Sequence, residues 1–178
     1  MFRYAAIYGG IAGTVIIAIM TIVLTMGGSE DYAFSEVLGY LVMLAVLSLI
    51  FIGIKRYRDV ELGGVIGFGR AFGLGLGISA VAGLFYVISW EAYLASTDYA
   101  FIDSYSESMI ANIEAKDLPS EERAAEIAEV EASRTLYGNR PFRLMITFIE
   151  IFPVGLLVAL VSAAVLRNPK VLPARRPA

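Results

Sequence analysis

Apolar residues in this chain collect in long runs, and the charged residues gather in short clusters between them. The first run covers residues 4–26, bounded by Arg3 and Glu30. As a helix rising about 1.5 Å per residue it measures about 35 Å, which crosses a bilayer. It is longer than the roughly 7–15 apolar residues of a secretory signal, and no small-x-small cleavage site follows, so it reads as a retained first helix. A second run, 37–54, ends at Lys55, Arg56 and Arg58. The third span is predicted at 69–93, with its uncharged centre between Arg70 and Glu91, and the fourth at 144–166, interrupted only by Glu150. The pattern predicts an all-α fold, a bundle of four transmembrane helices forming a membrane domain over 1–166, followed by a basic tail over 167–178.

The stretch between the third and fourth spans, about 95–142, is too polar to enter a bilayer and too regular for a linker. Pro119 and Ser120 precede EERAAEIAEVEASRTLYG. Ser120 is the expected N-cap, Glu121 and Glu122 suit the positive end of a helix dipole, and Gly138 is the expected stop, which predicts a helix over 121–137. A shorter helix over 104–115 would place Met109, Ile110 and Ile113 on one side, so the insert is expected to form a helical hairpin capping the bundle, its charges a solvated face.

Lys and Arg flank the spans unevenly. The loop GGSEDYAFSE has none, whereas the second loop carries Lys55, Arg56, Arg58 and Arg70, and the tail carries Arg167, Lys170, Arg175 and Arg176. By the positive-inside rule both termini are expected in the cytoplasm and the insert on the opposite side of an inner membrane. The tail, with its prolines, is expected to be a disordered extension that favours anionic lipid.

Composition sharpens this. The chain is 58% hydrophobic, with a mean hydropathy of +0.71, more than a soluble core can hide. It has no Cys and no His, which removes disulfides, thiolate nucleophiles, the usual zinc sites, His-ligated haem and Ser-His-Asp catalysis. No cofactor and no metal site are expected. A net charge of −3 gives no general attraction to nucleic acid.

The stretch GFGRAFGLGLGISAVAG, residues 67–83, contains a match to the dinucleotide fingerprint G-x-G-x-x-G/A at Gly75-Leu76-Gly77-Ile78-Ser79-Ala80. That fingerprint needs a preceding strand and free amides at a helix start, neither of which fits an uncharged membrane run. Read as a helix, Gly69, Gly73 and Gly77 fall in one row, and Ala71, Gly75, Ser79 and Gly83 in another on nearly the opposite side. Small residues let helices approach in lipid, where apolar burial gives no drive. Ala5, Gly9 and Gly13 in the first span, and Gly155, Ala159 and Ala163 in the fourth, offer matching faces. The third span is thus expected to be a central strut between the first and fourth, with self-association through one row as the competing use.

Charge inside a span is the other candidate chemistry. Glu150 lies about 9–10 Å inside the start of the fourth span, Arg143 lies seven residues earlier on nearly the same face, and Glu91 stands at the matching end of the third span. Pro153 removes a donor to the carbonyl of Ile149 and is expected to kink the helix beside Glu150. A carboxylate next to freed carbonyls is what a proton- or cation-handling site requires. The plainer expectation is that Glu150 is protonated or snorkels. Tyr86, Trp90 and Tyr93 read as interfacial anchors.

The stretch GIKRYRDVELGGVIGFGRAFGLGLGISAVAGLFY, through Tyr57-Arg58-Asp59, Gly63-Gly64, Phe68-Gly69 and Ala71-Phe72-Gly73, resembles the bacterial membrane-protein family known as domain of unknown function 4199. The resemblance implies a four-helix inner-membrane protein with no assigned activity and no functional residues to transfer. From the residues, the chain is expected to be a non-catalytic accessory or assembly subunit, partnered by the lipid bilayer, by itself or by a larger membrane complex. The alternative is an oligomeric ion or small-solute transporter using Glu150 beside Pro153. An enzyme would have to rely on Glu91 and Glu150, which form no clustered motif.

Overall fold

The computed structural model describes residues 1–26 and 32–174 and is helical throughout, with seven helices among those residues: α1 (Phe2–Met26), α2 (Tyr32–Leu47), α3 (Leu49–Glu61), α4 (Phe68–Ser96), α5 (Ala100–Glu114), α6 (Ser120–Gly138) and α7 (Arg140–Leu166). Much of the 30s loop and the tail residues Arg175 and Arg176 lie outside the described residues. Among the described residues, four helical stretches are long and apolar enough to cross a membrane: Phe2–Ile19, Gly39–Glu61, Phe68–Ser96 and Arg140–Leu166. The second joins α2 to α3 through Ser48, whose backbone stays right-handed helical. The chain is a multi-pass membrane protein.

Two compact units make up the chain, one formed by Met1–Val87 with Phe148–Ala178 and the other by Ile88–Thr147. In the first, α4 is lined by the close approaches that its small residues permit. A Cβ at Gly75 would stand 2.7 Å from Ala159 Cβ, and one at Gly83 would stand 2.8 Å from the Phe148 ring, both on α7. Gly155 of α7 in turn faces Ser79, whose Cβ would lie 2.8 Å from an added methyl. On another side of α4, a Cβ at Gly9 of α1 would meet the Ile78 carbonyl oxygen at 2.7 Å and Val81 Cβ at 2.6 Å, and Gly13 of α1 faces Phe85. Gly77 is opposite Ala5 at 3.2 Å. Among the described residues, Gly69 by contrast has nothing within 4 Å, and Gly73 only Met1 Cε at 3.9 Å.

Gly53 of α3 was not expected among the packing residues. A Cβ there would meet Ile78 Cδ1 at 2.8 Å and Tyr8 Cγ at 2.9 Å. Tyr8, Tyr4 and Tyr57 continue that contact as an aromatic ladder, with Tyr4–Tyr57 edge-on at 5.2 Å. Around it Leu47, Ile50, Ile54, Leu74, Ile78 and Ala159 are completely or almost completely buried.

Several boundaries differ from expectation, each for a local reason. The basic cluster does not begin the second loop, because α3 continues through Lys55, Arg56 and Arg58 to Glu61. The Lys55 ammonium is 2.6 Å from Asp59, one turn on, which supports the helix there. The chain then reverses at Gly63 and Gly64, whose φ values of +65° and +95° favour glycine. Ser120 is the first residue of α6 rather than its cap, since extended Pro119 precedes it and no side chain caps that end. Helix α7 starts at Arg140, four residues before the predicted span. Its true cap is Asn139, whose side-chain oxygen accepts from the Phe142 amide at 3.2 Å, with Pro141 in the first turn where a missing N–H costs nothing. Helix α7 then runs unbroken through Pro153.

Residues 167–174 are not a free tail. Arg58 is 0% exposed, and its guanidinium donates to the carbonyls of Leu166 at 3.4 Å, Val171 at 3.0 Å and Leu172 at 2.5 Å, and to Asp59 at 2.7 Å. A cation at the C-terminal end of α7 satisfies carbonyls that have no partner inside the helix and meets the negative end of its dipole.

Candidate functional site

The second unit gathers the chain's other buried charges. Within it α5 and α6 form a hairpin, with Ser106 and Ile113 of α5 and Val130 of α6 buried and Met109 exposed instead of joining Ile113. The turn from α4 into α5 passes through Asp98 and Tyr99 at φ values of 48° and 61°, an uncommon left-handed pair without glycine. The Tyr99 amide is held there by the Leu94 carbonyl at 2.8 Å. Strained backbone of this kind persists where surrounding contacts fix it, and here it sets the Tyr99 ring beside Arg143, whose guanidinium carbon lies 5.0 Å from the ring centre.

Glu91, near the end of α4, and Arg143, in the first turns of α7, form a two-pronged ion pair. Arg143 Nε donates to Glu91 Oε2 at 3.0 Å and Nη2 to Oε1 at 2.9 Å. Arg140 Nε stands 3.1 Å from the same Oε1, and the Tyr99 hydroxyl donates to it at 3.4 Å. The remaining arm of Arg143, Nη1, donates to the carbonyls of Tyr137 at 2.9 Å and Gly138 at 3.5 Å. Both side chains are buried, with 4% of Arg143 and 11% of Glu91 exposed. Such a fork is the strong form of a charged hydrogen bond, and it ties the α6–α7 junction to α4. Trp90 adds a second tie, its indole N–H donating to the Tyr137 hydroxyl at 2.6 Å, and it stacks on Tyr93 at 5.6 Å and meets Phe101 edge-on at 5.2 Å.

Of the three charges expected to share a site, the structure therefore brings two together. Arg143 reaches Glu91 rather than Glu150. The nitrogens of Arg143 are taken up by Glu91, from α4, and by the carbonyls of Tyr137 and Gly138. Glu150 lies on the exposed side of α7, as does Pro153.

Beside the Arg143–Glu91 pair the unit opens into a cleft of about 700 Å³, lined by Tyr99, Ile102, Asp103, Glu131, Arg134, Thr135, Gly138, Arg140 and Arg143. Arg134 and Asp103 face each other across the hairpin at 2.5–3.0 Å. Among the described residues no group of three or more His, Cys, Asp or Glu is placed to hold a metal ion.

The order of features that the sequence shares with a family extends over almost the whole chain: the sequence model of the protein family of unknown function DUF4199 matches residues 7–168. The chain is a DUF4199 protein. No curated protein and no solved structure matches it. In this DUF4199 chain two features carry little sequence signal. The burial of Arg58 has none apart from its neighbour Asp59, and Arg140, which joins the expected pair of Arg143 and Glu91, reads only as a charge near a helix start. Asn139 before Pro141 was a readable helix start.

Proposed function

We propose that this DUF4199 chain is a non-catalytic accessory subunit, in which α4 packs as a strut within the chain and offers its remaining small-residue side to a partner in the same membrane. The observation that carries this reading is the division among the small residues of α4. Gly75, Ser79 and Gly83 meet α7 and Gly77 meets α1, while Gly69 has nothing within 4 Å among the described residues. Backbone left uncovered by side chains is where a second helix approaches most closely in lipid. The buried charges agree with a structural role, since Arg58, Glu91 and Arg143 are each engaged by groups of their own chain.

The test places a photoreactive side chain at Gly69 or Gly73, and separately at exposed Val161 of α7, in native membranes. A protein adduct of one defined mass from 69 and 73, and not from 161, is the expected result. Equal labelling at all three, or adducts with lipid alone, overturns the reading. An inner-membrane placement with both termini cytoplasmic is part of this reading; the orientation is supported by Lys55, Arg56, Arg70, Arg167 and Lys170, and by the even number of candidate spans among the described residues.

The competing reading, an oligomeric ion or small-solute transporter, draws on Glu150 and Pro153 sharing the exposed side of α7 within a candidate span. Glu150→Gln separates the two. Loss of a proton or cation flux in reconstituted vesicles favours transport, and unchanged assembly with no flux in either protein favours the subunit.

A further inference from the structure

The cleft of the second unit has a charge pattern that selects a ligand. Its lining combines Arg134, Arg140 and Arg143 with Asp103 and Glu131, and Glu91 beneath brings the count to balance. An anion alone would meet two carboxylates, and a cation alone three guanidinium groups, so a molecule carrying both signs is the one the lining accommodates without an unpaired charge. Two of these groups have capacity to spare. Arg140 is 68% exposed and touches Glu91 through Nε, and its Nη1 and Nη2 make no hydrogen bond among the described residues. Glu131 is exposed, and its carboxylate has no ion pair among the described residues. The others are occupied, Arg134 with Asp103 and Arg143 with Glu91.

The position of the cleft narrows the chemistry further. Arg140 opens one candidate membrane span, and Glu91 lies near the end of another. Trp90, Tyr93, Phe101 and Tyr105 form a run of ring contacts in the same unit, the side-chain type that settles at the headgroup level of a bilayer. We propose that this cleft binds the headgroup of a zwitterionic phospholipid bearing a primary ammonium, with the phosphate on Arg140 and the ammonium on Glu131. Planar guanidinium suits phosphate, and a primary ammonium keeps the N–H donors that a carboxylate accepts and a trimethylated one lacks. A headgroup here needs only a membrane boundary and no partner subunit.

The test uses the full chain in mild detergent. Trp90, its one tryptophan, sits next to the clasp through Tyr137 and reports by fluorescence. Short-chain phosphatidylethanolamine, phosphatidylcholine and phosphatidylglycerol are titrated in turn. Saturable binding of phosphatidylethanolamine about tenfold tighter than of the other two is expected, and Arg140→Gln and Glu131→Gln should each weaken it about tenfold and abolish the preference. Both side chains are exposed, and helicity by circular dichroism confirms that the variants fold. Glu121→Gln, outside the cleft lining, should bind like the unaltered chain. Soluble phosphoethanolamine identifies the source: competition at similar concentration assigns the site to free headgroup compounds, and failure to compete assigns it to the lipid. Equal binding of all three lipids, or unchanged affinity in the Arg140 and Glu131 variants, overturns the proposal.

Discussion

Replacing Arg143 by Met removes the guanidinium that joins the start of α7 to the end of α4. The change deletes both prongs to Glu91, at 2.9 and 3.0 Å, and the donor to Tyr137 at 2.9 Å. It leaves a buried carboxylate with Arg140 at 3.1 Å and the Tyr99 hydroxyl at 3.4 Å. Removing one partner of a buried pair costs about 3–5 kcal/mol, and the retained Arg140 contact puts this case near 3 kcal/mol. For a chain of this size each kcal/mol corresponds to about 2–4 °C, so unfolding of purified protein in detergent, followed by Trp90 fluorescence, should move down by about 6–12 °C. Glu91→Met should produce a similar fall, because Arg143 is then the stranded charge. In the double variant neither charge is stranded, and most of the loss should be recovered, a coupling of about 2 kcal/mol or more. Single variants that each shift the midpoint by less than about 2 °C, or a double variant that loses the sum of the two, would refute the argument that the pair is buried and mutually dependent.

Other consequences follow from the close approaches and from Arg58. Gly155→Ala drives a methyl group into Ser79 and should cost about 1–3 kcal/mol, partly restored by Ser79→Gly, as measured by the same unfolding assay. Gly69→Ala, with open space around it, should leave the isolated chain unchanged or more stable by up to about 1 kcal/mol. Arg58→Met frees the carbonyls of Leu166, Val171 and Leu172, so trypsin should cut after Arg167 and Lys170 about tenfold faster. Arg58→Lys should recover only part of that protection, because a point charge cannot span three acceptors. Gly64→Ala forces a side chain into φ +95° and to within 3.2 Å of Ala174, and should lower the unfolding free energy by about 1 kcal/mol or more in the same assay.

The fold was readable where the membrane leaves the chain no choice. A bilayer demands uninterrupted apolar length, so the four spans stood out, and small residues permit close approach, as at Gly9, Gly75 and Gly155, where an added Cβ would stand under 3 Å from a neighbour. What escaped the sequence depends on partners distant along the chain. A basic cluster at a membrane edge looks the same whether its arginines face solvent or, like Arg58, cap another helix. Glu91 and Arg143 could be read as charges at matching ends of two spans, but the fork between them and the added contact of Arg140 come only from the fold. A lone Gly53 in an apolar run gives no sign that a Tyr8 ring will cover it. Serine suits a cap as well as a first turn, and at Ser120 the backbone direction set by Pro119 decides for the first turn.

The central claim is that α4 lies between α1 and α7 through its small residues while Gly69 stays uncovered by the described residues. The chain has no cysteine of its own, so paired substitutions can be read in membranes without background. Ala5→Cys with Gly77→Cys, and Gly75→Cys with Ala159→Cys, start from Cβ separations of 3.2 and 2.7 Å, within about 1 Å of the spacing a disulfide needs. Both pairs should oxidise within one chain, and Gly69→Cys should form no bond with either Ala5→Cys or Ala159→Cys. Failure of the first two pairs, or efficient bonding of position 69 to α1 or α7, would contradict the account.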